Sequence, residues 1–160
     1  MLHITSNDFN EASFDITLSG RGQTAQEDWR YAHFGQMILR VGIQLMGEYE
    51  DHQDPDGDGI SNLLEFATGQ HPLNSTTPAQ IFTLGSGGEC IYIYQRSKAA
   101  VADGLIFTVQ HNATLDPAGW SSTGITETIL SDDGTMQTVR ATAPAPAGGT
   151  CFMRLLVTRP

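Results

Sequence analysis

Hydrophobic and polar residues alternate with a period of two near the start of the chain. Phe14, Ile16 and Leu18 are separated by polar residues, which is the pattern of a half-buried β-strand. We therefore predict two short strands, over residues 2–5 and 13–19, joined by polar turn residues. A lone hairpin is marginally stable in water, so this pair needs a further partner.

The pattern changes to helical spacing over residues 24–47. Thr24 is followed three residues later by Glu27, and this pair forms the capping-box pattern that starts a helix. Apolar residues then recur every three or four positions. Gly35 lies within this run and predicts a break or a kink. The segment is therefore one bent helix or a pair of helices.

A second, shorter helix is predicted over residues 61–68, with Gly69 as its C-cap. A polar linker over 72–78 separates it from a remainder in which β patterns and turn residues alternate. The fold class that we predict is mainly β with a helical insert (α+β), a small antiparallel β-sandwich beside a helix–loop–helix segment. The predicted strands of the sandwich are 80–84, 89–96, 104–111, 121–130, 136–142 and 151–158.

Acidic residues are concentrated in the middle of the chain. The sequence has 18 Asp and Glu against 8 Lys and Arg, a formal net charge of −10. Many of the acids fall between residues 48 and 65, where there is no Lys or Arg. Like charges at this density repel one another unless a cation lies among them. The same balance disfavours binding to nucleic acid or to anionic membrane surfaces.

Residues 54–65 match the twelve-residue EF-hand calcium loop at each diagnostic position. The acids at loop positions 1, 3 and 5 can bring their carboxylates to one point, and Gly59 at position 6 permits the sharp turn. A backbone carbonyl at position 7, a side-chain oxygen at position 9 and a bidentate carboxylate at position 12 complete the set. The predicted metal ligands are Asp54, Asp56, Asp58, Ile60, Asn62 and Glu65.

The predicted ligands are all oxygen atoms, which favours Ca²⁺ over zinc or copper. Their number also suits Ca²⁺ better than the strict octahedron of Mg²⁺. Regulatory EF-hands usually work in pairs, whereas this sequence carries one such loop, so we expect a structural calcium site rather than a sensor. The alternative interpretation is an acidic, solvated turn before a helix.

Other candidate residues have two interpretations each. Cys90 and Cys151 lie on predicted strands and are either a disulfide or two buried thiols. Trp120, with Tyr92 and Tyr94, is either a platform for stacking sugars or part of the core. His33, close to Trp29, is interpreted as a core or surface residue of its helix rather than as a ligand.

Several functional classes lack their signatures. The chain has no Gly-x-Ser-x-Gly elbow, no His-Glu-x-x-His and no phosphate-binding glycine loop. Its apolar runs are too short for a membrane span, so we expect no membrane insertion. The first residues lack the basic and apolar regions of a signal peptide, and none is expected within this chain. We therefore expect a protein that is not an enzyme.

The acidic loop resembles a known calcium-binding module. Residues 54–69, with His71-Pro72-Leu73 after them, are similar to the calcium loop near the C-termini of many large secreted bacterial proteins, which is akin to dockerin and thrombospondin type 3 repeats. In such proteins a Trp-Arg…Phe-Gly helix precedes the loop, as Trp29-Arg30 and Phe34-Gly35 do here. A β-rich terminal domain follows it, matched in outline by residues 89–158. Because the second loop of a dockerin is missing, cohesin binding is not implied.

The first strands carry a second resemblance. Residues 4–20 look like the last two strands of an abnormal-spindle/hydin-type immunoglobulin-like repeat. The two resemblances imply a terminal hairpin over 1–22, a helical segment with the calcium loop over 23–77 and a β-sandwich over 78–160. Two strands cut from their parent repeat would leave unpaired edges. These edges could join the C-terminal sheet or form a homo-oligomer by strand exchange.

Together these observations predict a non-catalytic calcium-binding module with a structural or adhesive role. The resemblance implies a secreted or cell-surface origin as part of an exported protein, with Ca²⁺ as the ligand and a polysaccharide or another surface protein as candidate partners. A carbohydrate-binding module is the first alternative. A small hydrolase with an unrecognised site is the second.

Overall fold

The computed structural model describes residues 2–5, 13–16, 22–41, 50–77, 80–146 and 148–160, with the backbone alone for 2–5, 13–16 and 36–41. The described chain is mostly β with a few short helices. Its strands are β1 Leu2–Thr5, β2 Ser13–Ile16, β3 Ile81–Leu84, β4 Cys90–Ser97, β5 Ile106–Asn112, β6 Thr126–Asp132, β7 Met136–Ala143 and β8 Phe152–Thr158. Its α-helices are α1 Ala25–Val41, α2 Asn62–Thr68 and α3 Lys98–Ala102.

The strands from β3 onward form two antiparallel sheets, with α3 between β4 and β5. One has four strands in the order β3-β4-β7-β6, and the other pairs β5 with β8. β6 carries a register shift between Ile129 and Ser131. The N-terminal strands β1 and β2 pair with each other, with Leu2 opposite Ile16 and Ile4 opposite Phe14. The prediction of a mainly β fold with a few helices is therefore confirmed for the described residues.

Buried side chains from both sheets share one core. Tyr92 and Tyr94 of β4 pack with Val139 of β7 and with Val109 of β5. A disulfide joins Cys90, at the start of β4, to Cys151, just before β8, with 6.6 Å between their Cα atoms. The two cysteines that the sequence left open are therefore bonded, and they connect the two sheets.

A second core joins the helices to the β strands. Phe66 and Ala67 of α2 are buried against Ala100 of α3 and against Leu105. Trp29 of α1 and Val157 of β8 also pack against this cluster. The segment that contains the acidic loop is therefore held directly on the β-rich part of the chain.

The helix predicted from residue 24 begins with the expected capping box. The Thr24 N–H donates to Glu27 Oε2 at 2.9 Å, and the Glu27 N–H donates to Thr24 Oγ1 at 3.2 Å. Of the two alternatives predicted at Gly35, a break or a kink, the break is wrong, because α1 runs without interruption to Val41. Gly35 is buried, and a Cβ there would lie 3.1 Å from the Tyr31 ring. The glycine therefore makes room for an aromatic ring within a continuous helix.

The other predicted elements differ from the structure mainly at their ends. Each strand predicted after residue 80 is present within a few residues of its expected bounds, and Gly69 ends α2 with a φ of 76°. The turn residues of 116–119 form a short 3-10 turn over Pro117–Gly119 between two strands, whereas the sequence analysis missed α3. The predicted turn over residues 6–11, and the parts of earlier predictions at residues 17–19, 42–47 and 78, lie outside the described residues.

Candidate metal centre

The acidic loop is shaped by hydrogen bonds from its backbone to its first carboxylate. Asp54 Oδ1 accepts from the Gly57 N–H at 2.9 Å, and Asp54 Oδ2 accepts from the Gly59 N–H at 2.8 Å. Both glycines have positive φ, 73° and 89°, a conformation that costs a residue with a Cβ extra free energy. The glycines at loop positions 4 and 6 therefore allow the chain to curl around the Asp54 side chain.

Three carboxylates converge inside this curl. One oxygen from each of Asp54, Asp56 and Asp58 lies within 4.8 Å of the other two. The Asp58 N–H donates to Asp56 Oδ1 at 3.2 Å, and the Ile60 N–H donates to Asp58 Oδ1 at 2.9 Å. These bonds orient the carboxylates but leave three negative charges side by side. The cluster could hold a metal ion.

Glu65, the last predicted ligand, is buried beside this cluster. It lies in α2, its side chain is 0% exposed, and neither carboxylate oxygen has a hydrogen-bond partner among the described residues. Burial, and then the charges of Asp56, Asp58 and Asp54, raise its pKa to about 7. A carboxylate in such a place is costly unless a proton or a cation compensates it.

The remaining two predicted ligands occupy the turn between the carboxylates and α2. Ile60 follows Gly59 at loop position 7, where its backbone carbonyl is the candidate ligand. Asn62 is fully buried at the start of α2, and its side-chain N–H donates to the Glu50 carbonyl at 2.9 Å. The structure therefore groups the three aspartates tightly and places Glu65 and Asn62 in the adjoining buried helix.

Residues after α2 contact the loop from outside and were missed by the sequence analysis. The Thr76 N–H donates to Asp58 Oδ2 at 3.1 Å, and the Ser75 hydroxyl donates to the Asp56 carbonyl at 3.3 Å. Both residues belong to the segment predicted as a polar linker. Its Ser and Thr content is typical of any loop, so the sequence contains no specific signal for this contact.

Asp51, also missed, connects the loop to distant parts of the chain. Its Oδ1 accepts from Gln26 Nε2 and from an Arg30 Nη, both at 2.6 Å, and its Oδ2 accepts from Arg159 Nε at 2.7 Å. Burial acts to raise the Asp51 pKa, but these hydrogen bonds and the two positive charges outweigh burial and lower it. The Asp51 carbonyl also accepts the Leu63 N–H of α2.

The donor set fits a calcium ion. Its candidate side-chain ligands are carboxylate and amide oxygens, the hard ligands that Ca²⁺ takes. Both oxygens of Glu65 and Asp56 Oδ2 are buried without a hydrogen-bond partner among the described residues. An ion bound there would draw the loop and α2 together.

The aromatic residues considered for sugar stacking have ring faces that are covered by other parts of the chain. Tyr92 is 6% exposed and Tyr94 is 0% exposed, and their stacked rings lie 5.7 Å apart within the core. The Trp120 ring is covered by the Arg154 guanidinium, 4.2 Å from its centroid. The tyrosines therefore offer no open ring face, and Trp120 is capped on one side.

No protein-family model, curated protein or solved structure matches the chain. None of the helices in the described residues has the length and apolar character needed to cross a membrane.

Proposed function

We propose that this chain is a non-catalytic module that binds one Ca²⁺ ion through Asp54, Asp56, Asp58, Ile60, Asn62 and Glu65. The single observation that carries the proposal is Glu65, a fully buried carboxylate beside three further carboxylates with no hydrogen-bond donor to it among the described residues. A surface acidic turn would leave such a side chain in water. A buried carboxylate needs a proton or a cation to compensate its charge, and the three neighbouring carboxylates make a cation the better partner for the whole cluster.

The role of the ion in this proposal is structural. Ca²⁺ would join the loop to α2, whose Phe66 and Ala67 belong to the core shared with α3. Through that helix, the ion would fix the helical segment against the strands. We propose that β5 and β8 pack face to face with the four-stranded sheet as a small sandwich, since Val109 shares a core with Tyr94 and Val139.

A secreted or cell-surface protein is the context that we propose for this module. The Cys90–Cys151 disulfide is the kind of bond that persists in oxidising compartments. The proposed calcium site suits the same compartments, where calcium is plentiful enough to fill sites of modest affinity, with dissociation constants on the order of 10⁻⁴–10⁻³ M. A structural or adhesive role is consistent with both features.

Glu65→Gln tests the calcium site. We expect the dissociation constant of the variant for Ca²⁺, measured by calorimetric titration, to rise by at least about tenfold. The reason is that the substitution removes a charged bidentate ligand. Its melting temperature should be lower than that of the wild type in calcium, since a bound ion stabilises by mass action. In excess chelator it should not be lower, because the substitution then removes only a buried, uncompensated charge.

Glu50→Gln is the matched control. It removes the same charge from the same stretch, but the Glu50 side chain is 58% exposed and lies outside the ligand positions. We expect its calcium affinity to stay within about threefold of the wild type, the loss due to weaker long-range attraction alone. Equal melting of the wild type and Glu65→Gln at a calcium concentration that saturates the wild type would contradict the proposal.

A further inference from the structure

Strand β3 lies at one edge of the four-stranded sheet and exposes apolar residues. Among the described residues it pairs with β4 alone, and each of its four residues is exposed. The exposed fractions of Ile81, Phe82 and Leu84 are 56%, 49% and 58%. An open, apolar edge of this kind is a place where a further strand can pair.

The main-chain groups at this open edge belong to Phe82 and Leu84. The Gly85 N–H donates to the Glu89 carbonyl at 2.8 Å, so these two residues form a hydrogen-bonded pair where β3 turns into β4. Hydrogen-bonded and non-bonded pairs alternate along an antiparallel ladder. Thr83 therefore directs its N–H and carbonyl towards β4, whereas Phe82 and Leu84 direct theirs to the open edge. Donors and acceptors in this arrangement fit the backbone of another extended strand.

The opposite edge of the same sheet, β6, is protected against such pairing. Its register shifts between Ile129 and Ser131, and it carries the charged side chains of Glu127 and Asp132. Irregularities and charges of this kind keep sheet edges from associating. β3, with the sequence Ile-Phe-Thr-Leu, has a regular register and no charged residue. The edge at β3 is therefore the one open to a partner.

The distribution of charge favours a second copy of the chain as that partner. The formal net charge of the chain is −10, yet residues 67–88 contain no Asp, Glu, Lys or Arg. Two acidic copies can therefore approach at this segment without bringing like charges together. A basic partner would find no acidic side chain there to attract it.

The order of residues in β3 also suits antiparallel pairing with itself. With Thr83 at a two-fold axis, Phe82 lies opposite Leu84 of the partner subunit, and the two copies of Thr83 lie opposite each other. Apolar residues then meet on the face that carries Tyr92 of β4, and threonines meet on the other face. We propose that β3 pairs antiparallel with β3 of a second copy, which joins the two four-stranded sheets into one continuous sheet.

The area available at this edge predicts a weak dimer. Three half-exposed side chains from each copy would bury about 600 Å² in all, below the roughly 1,200 Å² of a stable interface. Main-chain hydrogen bonds across the edge add to this contact. We therefore expect a dissociation constant on the order of 10⁻⁴ M. The protein should be monomeric when dilute and dimeric when concentrated.

Sedimentation equilibrium in excess calcium, at protein concentrations from about 10 μM to about 1 mM, measures this association. Thr83→Lys brings two positive charges together at the two-fold axis and keeps the main-chain hydrogen bonds to β4, because only an exposed side chain changes. We expect it to raise the dissociation constant of the dimer about fivefold or more. Thr83→Glu should do the same. An equimolar mixture of the two variants should restore association to at least the wild-type level, because opposite charges then meet.

Thr128→Lys is the matched control, since it makes the same change of charge at an exposed position on the opposite edge of the same sheet. We expect its dissociation constant to stay within about twofold of the wild type. Thermal melting checks that each variant folds as the wild type does. A wild type that stays monomeric at about 1 mM, species larger than a dimer, equal association of Thr83→Lys and Thr128→Lys, or no recovery in the mixture would each overturn the proposal.

Discussion

At the scale of single residues, the acidic loop depends on backbone positions as much as on its carboxylates. Gly59 has a φ of 89°, and its N–H is bonded to Asp54 Oδ2. A Cβ at Gly59 would contact nothing within 4 Å. The cost of any other residue there is therefore conformational, about 1–2 kcal/mol for an L residue in this region.

Gly59→Ala tests whether that conformation matters to the ion. We expect the variant to lose about 1 kcal/mol of folding stability and to bind Ca²⁺ more weakly, because the strained loop no longer holds Asp54 in place. Gly134→Ala is the matched control, since Gly134 has a φ of 96°, an open surrounding and an N–H bonded to Asp132. It should lose similar stability with unchanged calcium affinity. Equal affinity losses in both variants, measured by calorimetry, would contradict this account.

At the scale of elements, the disulfide connects the start of β4 with the chain entering β8. Cys90 is completely buried, and 61 residues separate the two cysteines along the sequence. Closing a loop of that length restricts the unfolded chain, a stabilisation of about 4 kcal/mol in the chain-entropy description. The bond also joins two strands that have no shared hydrogen-bond ladder.

Cys90→Ala/Cys151→Ala should therefore destabilise the fold by about 2–5 kcal/mol. The loss should be the same in calcium and in chelator, because the disulfide and the acidic loop lie on different elements. Denaturant unfolding monitored in both conditions measures it. A destabilisation present only in calcium would show instead that the disulfide stabilises the fold through the proposed calcium site.

The elements also show what a sequence can predict here. The acidic loop is a local pattern, since the positions that suggested a metal site all fall within residues 54–65, and the strands follow from alternation. The helix α3 was missed because it starts directly from the last residue of β4, where Ser97 caps it. The continuous path of α1 through Gly35 depends on the packing of the Tyr31 ring against that residue. The low helix propensity of glycine, on which the predicted break rested, takes no account of this packing.

At the scale of the whole molecule, Asp51 joins three separate parts of the chain. It binds Gln26 and Arg30 of α1, and it also binds Arg159, 108 residues further along the sequence. The same residue is bonded through its carbonyl to Leu63 at the start of α2. No local pattern predicts such a contact, because it exists only once the topology brings the C-terminus beside the acidic segment.

Asp51→Asn should cost about 1 kcal/mol at neutral pH, because the pairs are partly exposed and screened. Folding lowers the Asp51 pKa below its ordinary value of 3.8, so the carboxylate stabilises the fold above that pH and loses this effect as the pH falls through its folded pKa. The stability difference between wild type and variant should therefore be greatest at neutral pH. It should shrink towards zero as the pH falls below 3.8 and through the folded pKa. Denaturant unfolding across this range measures it.

Asp51→Asn and Arg159→Gln, alone and combined, form a double-mutant cycle. If Arg159 stabilises the fold through Asp51, the double variant should lose less than the sum of the two single losses, by about 0.5 kcal/mol or more. The coupling should shrink in high salt, since Arg159 is 45% exposed. Strict additivity at low salt would mean that the C-terminus is held by the packing of β8 alone, and that the Asp51 contact adds nothing to it.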